Sequence, residues 1–108
     1  MSNNLIINGC QSFDFDINIP GDKSITHRAI ILASMCNESI QIMNPLLSDD
    51  CLMTIEVMQS LGSKITNNSG DLSVIGNGYE SFSNPQKQLY AGNSGTLIRL
   101  ISGILAMQ

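Results

Sequence analysis

The stretch Pro20–Ala33, PGDKSITHRAIILA, marks the point at which a turn gives way to an apolar helix. Pro20 and Gly21 are turn residues that end the extended segment before them. Apolar residues at helical spacing then predict a helix over residues 24–36, with Ser24 as the N-cap whose hydroxyl accepts a bond from the first turn. The apolar residues assigned to its buried face are Ile25, Ala29, Leu32 and Ala33.

Basic side chains cluster at this helix start. Lys23 precedes the first turn, and Ser24 and Arg28 lie four residues apart, which places them on one helix face. A helix N-terminus also offers unpaired N–H groups and partial positive charge. The cluster therefore predicts a site for a phosphate or carboxylate group, and a solvated helix start with a serine cap is the alternative. His27 is interpreted as a surface or packing residue, with participation in the site as the other interpretation.

Residues 91–99, AGNSGTLIR, form a second junction of this kind. Two glycines permit a tight turn and the close approach of a ligand, polar residues supply caps and hydroxyl groups, and an arginine lies one turn into the helix. The junction favours a second anion site, and an ordinary glycine turn with capping is the alternative. The residues that carry the pattern are Gly92, Asn93, Ser94, Gly95, Thr96 and Arg99.

A third helix is predicted over residues 48–62, SDDCLMTIEVMQSLG. Ser48 caps it, and Asp49 and Asp50 place negative charge at the positive end of the helix dipole. A pair of carboxylates for acid–base chemistry is the alternative role of the two aspartates. The apolar stripe of this helix consists of Leu52, Ile55, Met58 and Leu61.

The elements follow one another as strand, helix, strand, helix, hairpin and helix, which predicts an α/β fold. The last helix begins near residue 94 and has no stop signal before Gln108, so we expect the sequence to be truncated from a longer protein. Strands are expected at residues 5–7, 13–19, 39–44, 63–68 and 72–77, and briefly before Gly92.

Composition limits the classes of protein and partner. The 108 residues are 43% hydrophobic and 13% charged, which suits a buried globular segment. A net charge of -4 with five basic residues argues against nucleic-acid binding. Three cysteines without CxxC spacing argue against a zinc site or a disulfide framework, and Cys36 and Cys51 are expected to be buried. The lack of a secretory signal or a long apolar run predicts a cytoplasmic protein with no membrane span.

Three motifs, PGDKSITHRAIILA, NPLLSDD and AGNSGTLIRL, occur in the order and at the spacing of one enzyme family. The sequence resembles the amino-terminal part of the 3-phosphoshikimate 1-carboxyvinyltransferases, or EPSP synthases, over nearly its whole length. The resemblance implies an α/β fold of enolpyruvyl-transferase type, an inside-out α/β barrel of helix–strand repeat units, here truncated. Residues 1–20 would form strands that belong to or cross from a second domain, and residues 21–108 would form part of the amino-terminal α/β domain.

The same resemblance implies a reaction in the pathway to chorismate and the aromatic amino acids. The enolpyruvyl group of phosphoenolpyruvate would pass to the 5-hydroxyl of shikimate 3-phosphate, with release of phosphate and with no metal or organic cofactor. Lys23 would be the catalytic residue that contacts both substrates, and Ser24 and Arg28 would bind shikimate 3-phosphate. The phosphoenolpyruvate pocket would involve Asn93, Gly95, Thr96 and Arg99.

Further catalytic groups would come from the missing carboxy-terminal part of the same chain. We therefore expect residues 1–108 alone to have no turnover. A stand-alone module that binds small anions and a purely structural α/β segment are the competing hypotheses.

Overall fold

The computed structural model describes residues 3–108, which contain three α-helices, three β-strands and one short 3-10 helix. Residues 1 and 2, which the prediction for segment 1–20 includes, lie outside the described residues. Helices alternate with strands or a hairpin, which confirms the predicted α/β class. The elements are α1 (Lys23–Met35), β1 (Ser39–Ile42), α2 (Asp49–Ser60), β2 (Lys64–Asn68), β3 (Asp71–Ile75), the 3-10 helix (Tyr79–Ser81) and α3 (Gly95–Leu105).

The three strands form one antiparallel sheet in the order β1–β3–β2. Val74 of the central strand pairs with Ile40 on one side and with Ile65 on the other, so apolar residues form a row across the sheet. The β2–β3 hairpin turns at Ser69 and Gly70, which have φ angles of 55° and 99°. Two positive φ angles in a two-residue loop are typical of a type I′ turn, and the predicted hairpin is confirmed.

The core lies between the helices and this row of apolar strand residues. Helix α1 contacts β1, β3 and α2, and α2 also contacts β2. Alternate residues of β3, Leu72 and Val74, are buried because their side chains point to the same face of the pleated strand. The largest fully buried apolar side chains are Ile30, Met58, Leu61, Leu72, Val74 and Leu97.

Helix α1 differs from the prediction at its cap and in its buried face. Asp22, not Ser24, is the N-cap residue, and its carboxylate accepts a 2.8 Å hydrogen bond from the backbone N–H of Ile25. Ser24 therefore lies within the first turn. The predicted buried residues Ile25 and Leu32 are 68% and 60% exposed, because the helix turns a different face to α2 and the sheet. That face consists of Thr26, His27, Ile30, Ile31, Ala33 and Ser34.

Four further predictions were wrong: three strands and the burial of one cysteine. Residues 5–7 and 13–19 form no strand, and their backbone is extended or irregular with exposed side chains. A strand requires a neighbouring backbone to satisfy its N–H and C=O groups, and the described residues place none beside this segment. The short strand expected before Gly92 is likewise irregular. Cys36 is exposed because it follows the last turn of α1, whereas Cys51 is buried as expected.

Helix α2 begins after Ser48 as predicted, although the Ser48 hydroxyl makes no capping hydrogen bond. Of its predicted apolar stripe, Met58 and Leu61 are fully buried and Leu52 is 44% exposed. Among residues 3–108, no helix has the length and apolar character needed to cross a bilayer.

Candidate anion-binding site

The first turn of α1 is fixed to the loop that precedes α2. The Thr26 hydroxyl donates to the backbone oxygen of Asp22 at 2.7 Å and accepts from the backbone N–H of Leu46 at 3.0 Å. One buried side chain thus closes its own helical turn and holds the neighbouring loop. The first two sequence motifs are joined at this point.

Gly21 allows this close contact because it has no side chain. A Cβ atom added there would lie 2.9 Å from the Leu46 nitrogen and 3.1 Å from the Pro45 carbonyl carbon. Both neighbours are backbone atoms, which do not move as a flexible side chain does. The glycine therefore sets how closely the start of α1 approaches the start of α2.

Lys23 and Asp50 form an ion pair between α1 and α2. The Lys23 side chain is 49% exposed and that of Asp50 is 27% exposed, so the pair lies at the surface. The hydrogen bond that Lys23 donates to Asp50 and the negative charge of Asp50 raise the pKa of Lys23 above its ordinary value. The raised pKa favours the charged form of the lysine, which Asp50 contacts across the helix interface.

His27 and Thr54 form a second, buried contact between the same two helices. His27 Nδ1 lies 2.6 Å from Thr54 Oγ1, and both residues are 0% exposed. Burial is the main reason that the pKa of His27 is lowered, and the positive charge of Lys23 adds to the effect. His27 Nε2 is buried and has no hydrogen-bond partner within residues 3–108. The structure thus places His27 in the helix interface and not on the surface.

Ser24 and Arg28 lie side by side on the exposed face of α1, as their spacing predicts. Arg28 Nη1 donates a 3.1 Å hydrogen bond to the backbone oxygen of Ser24. The guanidinium group therefore folds back toward the N-terminus of the helix, where Lys23 also lies. Lys23, Ser24 and Arg28 thus all lie at the start of α1, where the positive end of the helix dipole lies, and groups of these types are those that favour a phosphate or carboxylate.

The second junction also caps a helix. Ser94 is the N-cap of α3, and its buried hydroxyl accepts a 3.1 Å hydrogen bond from the backbone N–H of Leu97. Arg99 folds back over the helix start, since a Cβ atom added at Gly95 would lie 3.1 Å from Arg99 Nη1. Asn93 is exposed and Thr96 is half-buried at the same turn. This start again combines a guanidinium with helix N–H groups.

Helix α2 brings the two junctions together. Lys23 pairs with Asp50, and Gly92 packs beside Met53, whose Cε atom would lie 3.8 Å from a Cβ at that glycine. Asp50 and Met53 are three residues apart on one helix, so they are neighbours on its surface. Both junctions therefore border the same first turns of α2.

The predicted site residues lie outside two surface cavities found among the described residues. Two surface cavities of about 160 and 110 Å³ open elsewhere, one between α2 and residues 87–90 and the other between residues 82–89 and the end of α3. Neither contains Lys23, Arg28 or Arg99. Lys23, Arg28 and Arg99 are exposed, and the described part of the chain contains no cluster of His, Cys, Asp and Glu suited to a metal ion.

Sequence reasoning missed three residues that shape this surface. The position of Asp50 in the sequence indicates a role at the helix dipole, and nothing near it in the sequence marks its pairing with Lys23. Thr26 and Thr54 carried no prediction, because a threonine inside a helix has no local signal for a contact with another element. The closeness of the first two motifs in sequence was the one available hint that they meet.

Comparison with known proteins gives a consistent result. Residues 7–108 match the family model described as EPSP synthase (3-phosphoshikimate 1-carboxyvinyltransferase). The 3-phosphoshikimate 1-carboxyvinyltransferase of Staphylococcus aureus strain Newman is 43% identical over 106 residues, which is 98% of this chain and 24% of that protein. The enzyme of the same name from Staphylococcus saprophyticus is 46% identical over 90 residues, which is 83% of this chain and 21% of that protein.

Similarity of structure agrees with similarity of sequence. The solved structure of EPSP synthase from Acinetobacter baumannii superposes with a TM-score of 0.78 and 33% identity over 82% of this chain and 20% of that protein. The expected enolpyruvyl-transferase type of α/β fold is confirmed by this likeness. The chain spans about a quarter of the length of the curated relatives it matches. It belongs to the EPSP synthase family.

Proposed function

We propose that this chain contributes the amino-terminal substrate-binding surface of a 3-phosphoshikimate 1-carboxyvinyltransferase. The observation that carries the proposal is that both junctions border the first turns of α2, the first through the pairing of Lys23 with Asp50 and the second through the packing of Gly92 beside Met53. The reaction named by the relatives joins two anionic molecules, and two anion sites side by side suit it. Residues 1–108 alone are expected to have no turnover.

In the proposed reaction the 5-hydroxyl of shikimate 3-phosphate loses its proton to a base as its oxygen attacks C2 of phosphoenolpyruvate, and the methylene carbon gains a proton from an acid. The tetrahedral intermediate then loses phosphate from C2 and a proton from the methyl carbon, which restores the double bond. The reaction is redox-neutral and needs no oxidant or reductant, and the family resemblance implies no metal and no organic cofactor. The groups that move the protons would come from other parts of the complete protein.

The first junction is assigned to shikimate 3-phosphate. Ser24 and Arg28 lie together at the exposed start of α1 and are proposed to bind its phosphate group. Lys23 is proposed to contact both substrates, since it lies between that start and α2. Its ammonium would stabilise the negative charge that gathers where the two anions meet.

The second junction is assigned to phosphoenolpyruvate. Gly95 allows a ligand to approach the backbone of the first turn of α3, and the Arg99 guanidinium lies over that turn. Asn93 and Thr96 are proposed to shape the pocket around the ligand. Metabolite anions of this size are commonly bound by such a combination of N–H groups and a guanidinium.

Residues 1–20 are proposed to pair with or cross from a second domain, with residues 21–108 forming part of the amino-terminal domain. Phe13, Phe15, Ile17 and Ile19 alternate with polar residues and are 64–75% exposed. Apolar residues at strand spacing on one side favour a partner that covers them. A cytoplasmic location is proposed because Cys10 and Cys36 are exposed free thiols, which suit a reducing compartment.

The test uses the protein translated from the complete reading frame that contains this sequence. A coupled assay measures the release of phosphate from phosphoenolpyruvate, and this release should depend on the presence of shikimate 3-phosphate. Lys23→Met should lower kcat/KM by about 100-fold or more, as expected for the loss of a group that stabilises transition-state charge. Lys64→Met, at an exposed lysine on β2 away from both junctions, is the matched control and should leave the rate within twofold.

A stand-alone anion-binding module is the second candidate, favoured by the open surface around Lys23 and Arg28. It predicts binding of inorganic phosphate or shikimate 3-phosphate without turnover, even by the complete translation product. A complete protein that binds both substrates but releases no phosphate would favour this candidate and exclude the transferase.

A further inference from the structure

Two polar contacts join α1 and α2, and they have the same four-residue spacing on both helices. Lys23 and His27 are four residues apart on α1, and Asp50 and Thr54 are four residues apart on α2. Lys23 contacts Asp50, and His27 contacts Thr54. Because four residues make about one helical turn, the buried contact lies one turn further into the interface than the surface ion pair.

The buried contact restrains the two helices more strongly than the ion pair does. Exposed ion pairs between flexible side chains are weak and do not fix geometry by themselves. The His27–Thr54 contact is 2.6 Å long, fully buried and directional. The Thr54 hydroxyl also lies 3.4 Å from the backbone oxygen of Asp50, so it touches the residue that holds Lys23.

We propose that His27 and Thr54 are positioning residues whose buried hydrogen bond sets the register of α1 on α2 and so directs the Lys23 ammonium toward the bound anion. Asp50 is the partner of that ammonium in the absence of the anion. The identity of the anion rests on the proposed function. The register itself does not, because it concerns only the contacts of α1 with α2.

The charges around His27 make the contact sensitive to protonation. Lys23 and Arg28 on α1 oppose a positive charge on the ring, and Asp50 on α2 favours one. Burial outweighs the aspartate, and the pKa of His27 is lowered. A protonated ring would carry an N–H at Nε2 that has no partner among the described residues. Protonation is therefore expected to move the ring and loosen the register.

The test compares three variants of the complete protein. Thr54→Val removes the hydroxyl and keeps the shape, and Thr54→Ser restores the hydroxyl. Ser34→Ala is the matched control, because Ser34 is also fully buried on α1 and, among residues 3–108, its hydroxyl bonds only to the Ile30 oxygen of its own helix. Each variant is measured for thermal stability, for KM toward shikimate 3-phosphate and for the pKa of Lys23, followed by NMR of its labelled Cε atom.

We expect Thr54→Val to return the pKa of Lys23 toward its ordinary value of 10.5 and to raise KM by about three- to tenfold, the effect of one lost hydrogen bond. Thr54→Ser should stay within about twofold of the wild type in KM. Ser34→Ala should lower the melting temperature without changing either quantity. A purely structural role of Thr54 would lower stability in the same way and leave the pKa of Lys23 unchanged.

The two proposals fail separately. If the wild-type protein binds neither substrate but the pKa of Lys23 still responds to Thr54→Val, the proposed function is wrong and the register is supported. If the protein is active and Lys23 titrates identically in Thr54→Val and in the wild type, the register proposal is overturned.

A measurement on the wild type covers the case in which Thr54→Val does not fold. As the pH falls, the Lys23 Cε resonance should shift with the same midpoint as the His27 ring resonances. Absence of any Lys23 response across the titration of His27 overturns the proposal without a variant.

Discussion

The Thr26 hydroxyl oxygen lies 3.0 Å from the backbone nitrogen of Leu46 and 2.7 Å from the backbone oxygen of Asp22. The Thr26 hydroxyl thus forms hydrogen bonds with one backbone group in the loop before α2 and with one in the N-cap residue of α1. This arrangement explains how two short motifs, separated by a strand, form one surface. Thr26 is buried, whereas Lys23 and Arg28 lie on the exposed side of the same helix start.

Replacing Thr26 with valine should destabilise the protein. The backbone N–H of Leu46 would lose its partner in a partly buried site, which costs about 1–3 kcal/mol in the free energy of unfolding. Urea denaturation followed by circular dichroism measures the change. Thr66→Val is the control, because Thr66 is exposed on β2, and it should stay within about 0.5 kcal/mol. Equal losses in the two variants would contradict the role given to Thr26.

Replacing Gly21 with alanine should separate the starts of α1 and α2. The new Cβ atom would lie 2.9 Å from the Leu46 nitrogen, so backbone must shift, at a cost of about 1–3 kcal/mol. Gly9→Ala is the control, since no atom lies within 4 Å of a Cβ at Gly9. Urea denaturation of both variants tests the prediction. An unchanged denaturation midpoint for Gly21→Ala would show that the loop moves away from the new Cβ atom with no loss of stability.

The basic helix starts were predictable because their signals are local. Proline and glycine end the segment before α1, and the spacing of Ser24 and Arg28 places both on one face. The capping residue was assigned wrongly, since Asp22 and Ser24 are both good caps by type and only the backbone geometry decides between them. The serine and the arginine still lie together, because both positions are helical with either cap.

The buried face of α1 and its partners on α2 were not predictable from local patterns. Helix α1 carries apolar residues on several sides, so periodicity alone did not distinguish the face of Ile30 from that of Leu32. The sheet and α2 decide which face is buried. The contact of His27 with Thr54 joins residues 27 positions apart, and no short pattern in the sequence marks such a pair.

Stability should fall in mildly acidic solution because of His27. Burial lowers the pKa of this residue in the folded protein below the ordinary value of 6.5, so the unfolded chain binds a proton more readily. The contribution of the neutral ring is complete above about pH 6.5 and is lost as the pH falls through the lowered pKa of the folded state. His27 is the single histidine of the chain, which makes the effect separable.

The variant His27→Asn isolates this contribution. The free energy of unfolding of the wild type should decrease between pH 7 and pH 5.5, and the slope over that interval should nearly vanish in the variant, whatever its absolute stability. Urea denaturation at a series of pH values gives both slopes. Identical slopes would assign the pH dependence to other groups.

Asp50→Asn should lower the pKa of Lys23. The hydrogen bond and the charge of Asp50 are the two largest causes of the raised pKa, and an amide keeps the shape while it removes the charge. The NMR titration of the labelled Lys23 Cε atom should therefore move toward lower pH in this variant. Asp49→Asn is the matched control, because Asp49 is the neighbouring carboxylate at the same helix start and is exposed. If both variants moved the titration equally, the general field of the acidic helix start, and not the pairing of Lys23 with Asp50, would determine the protonation of the lysine.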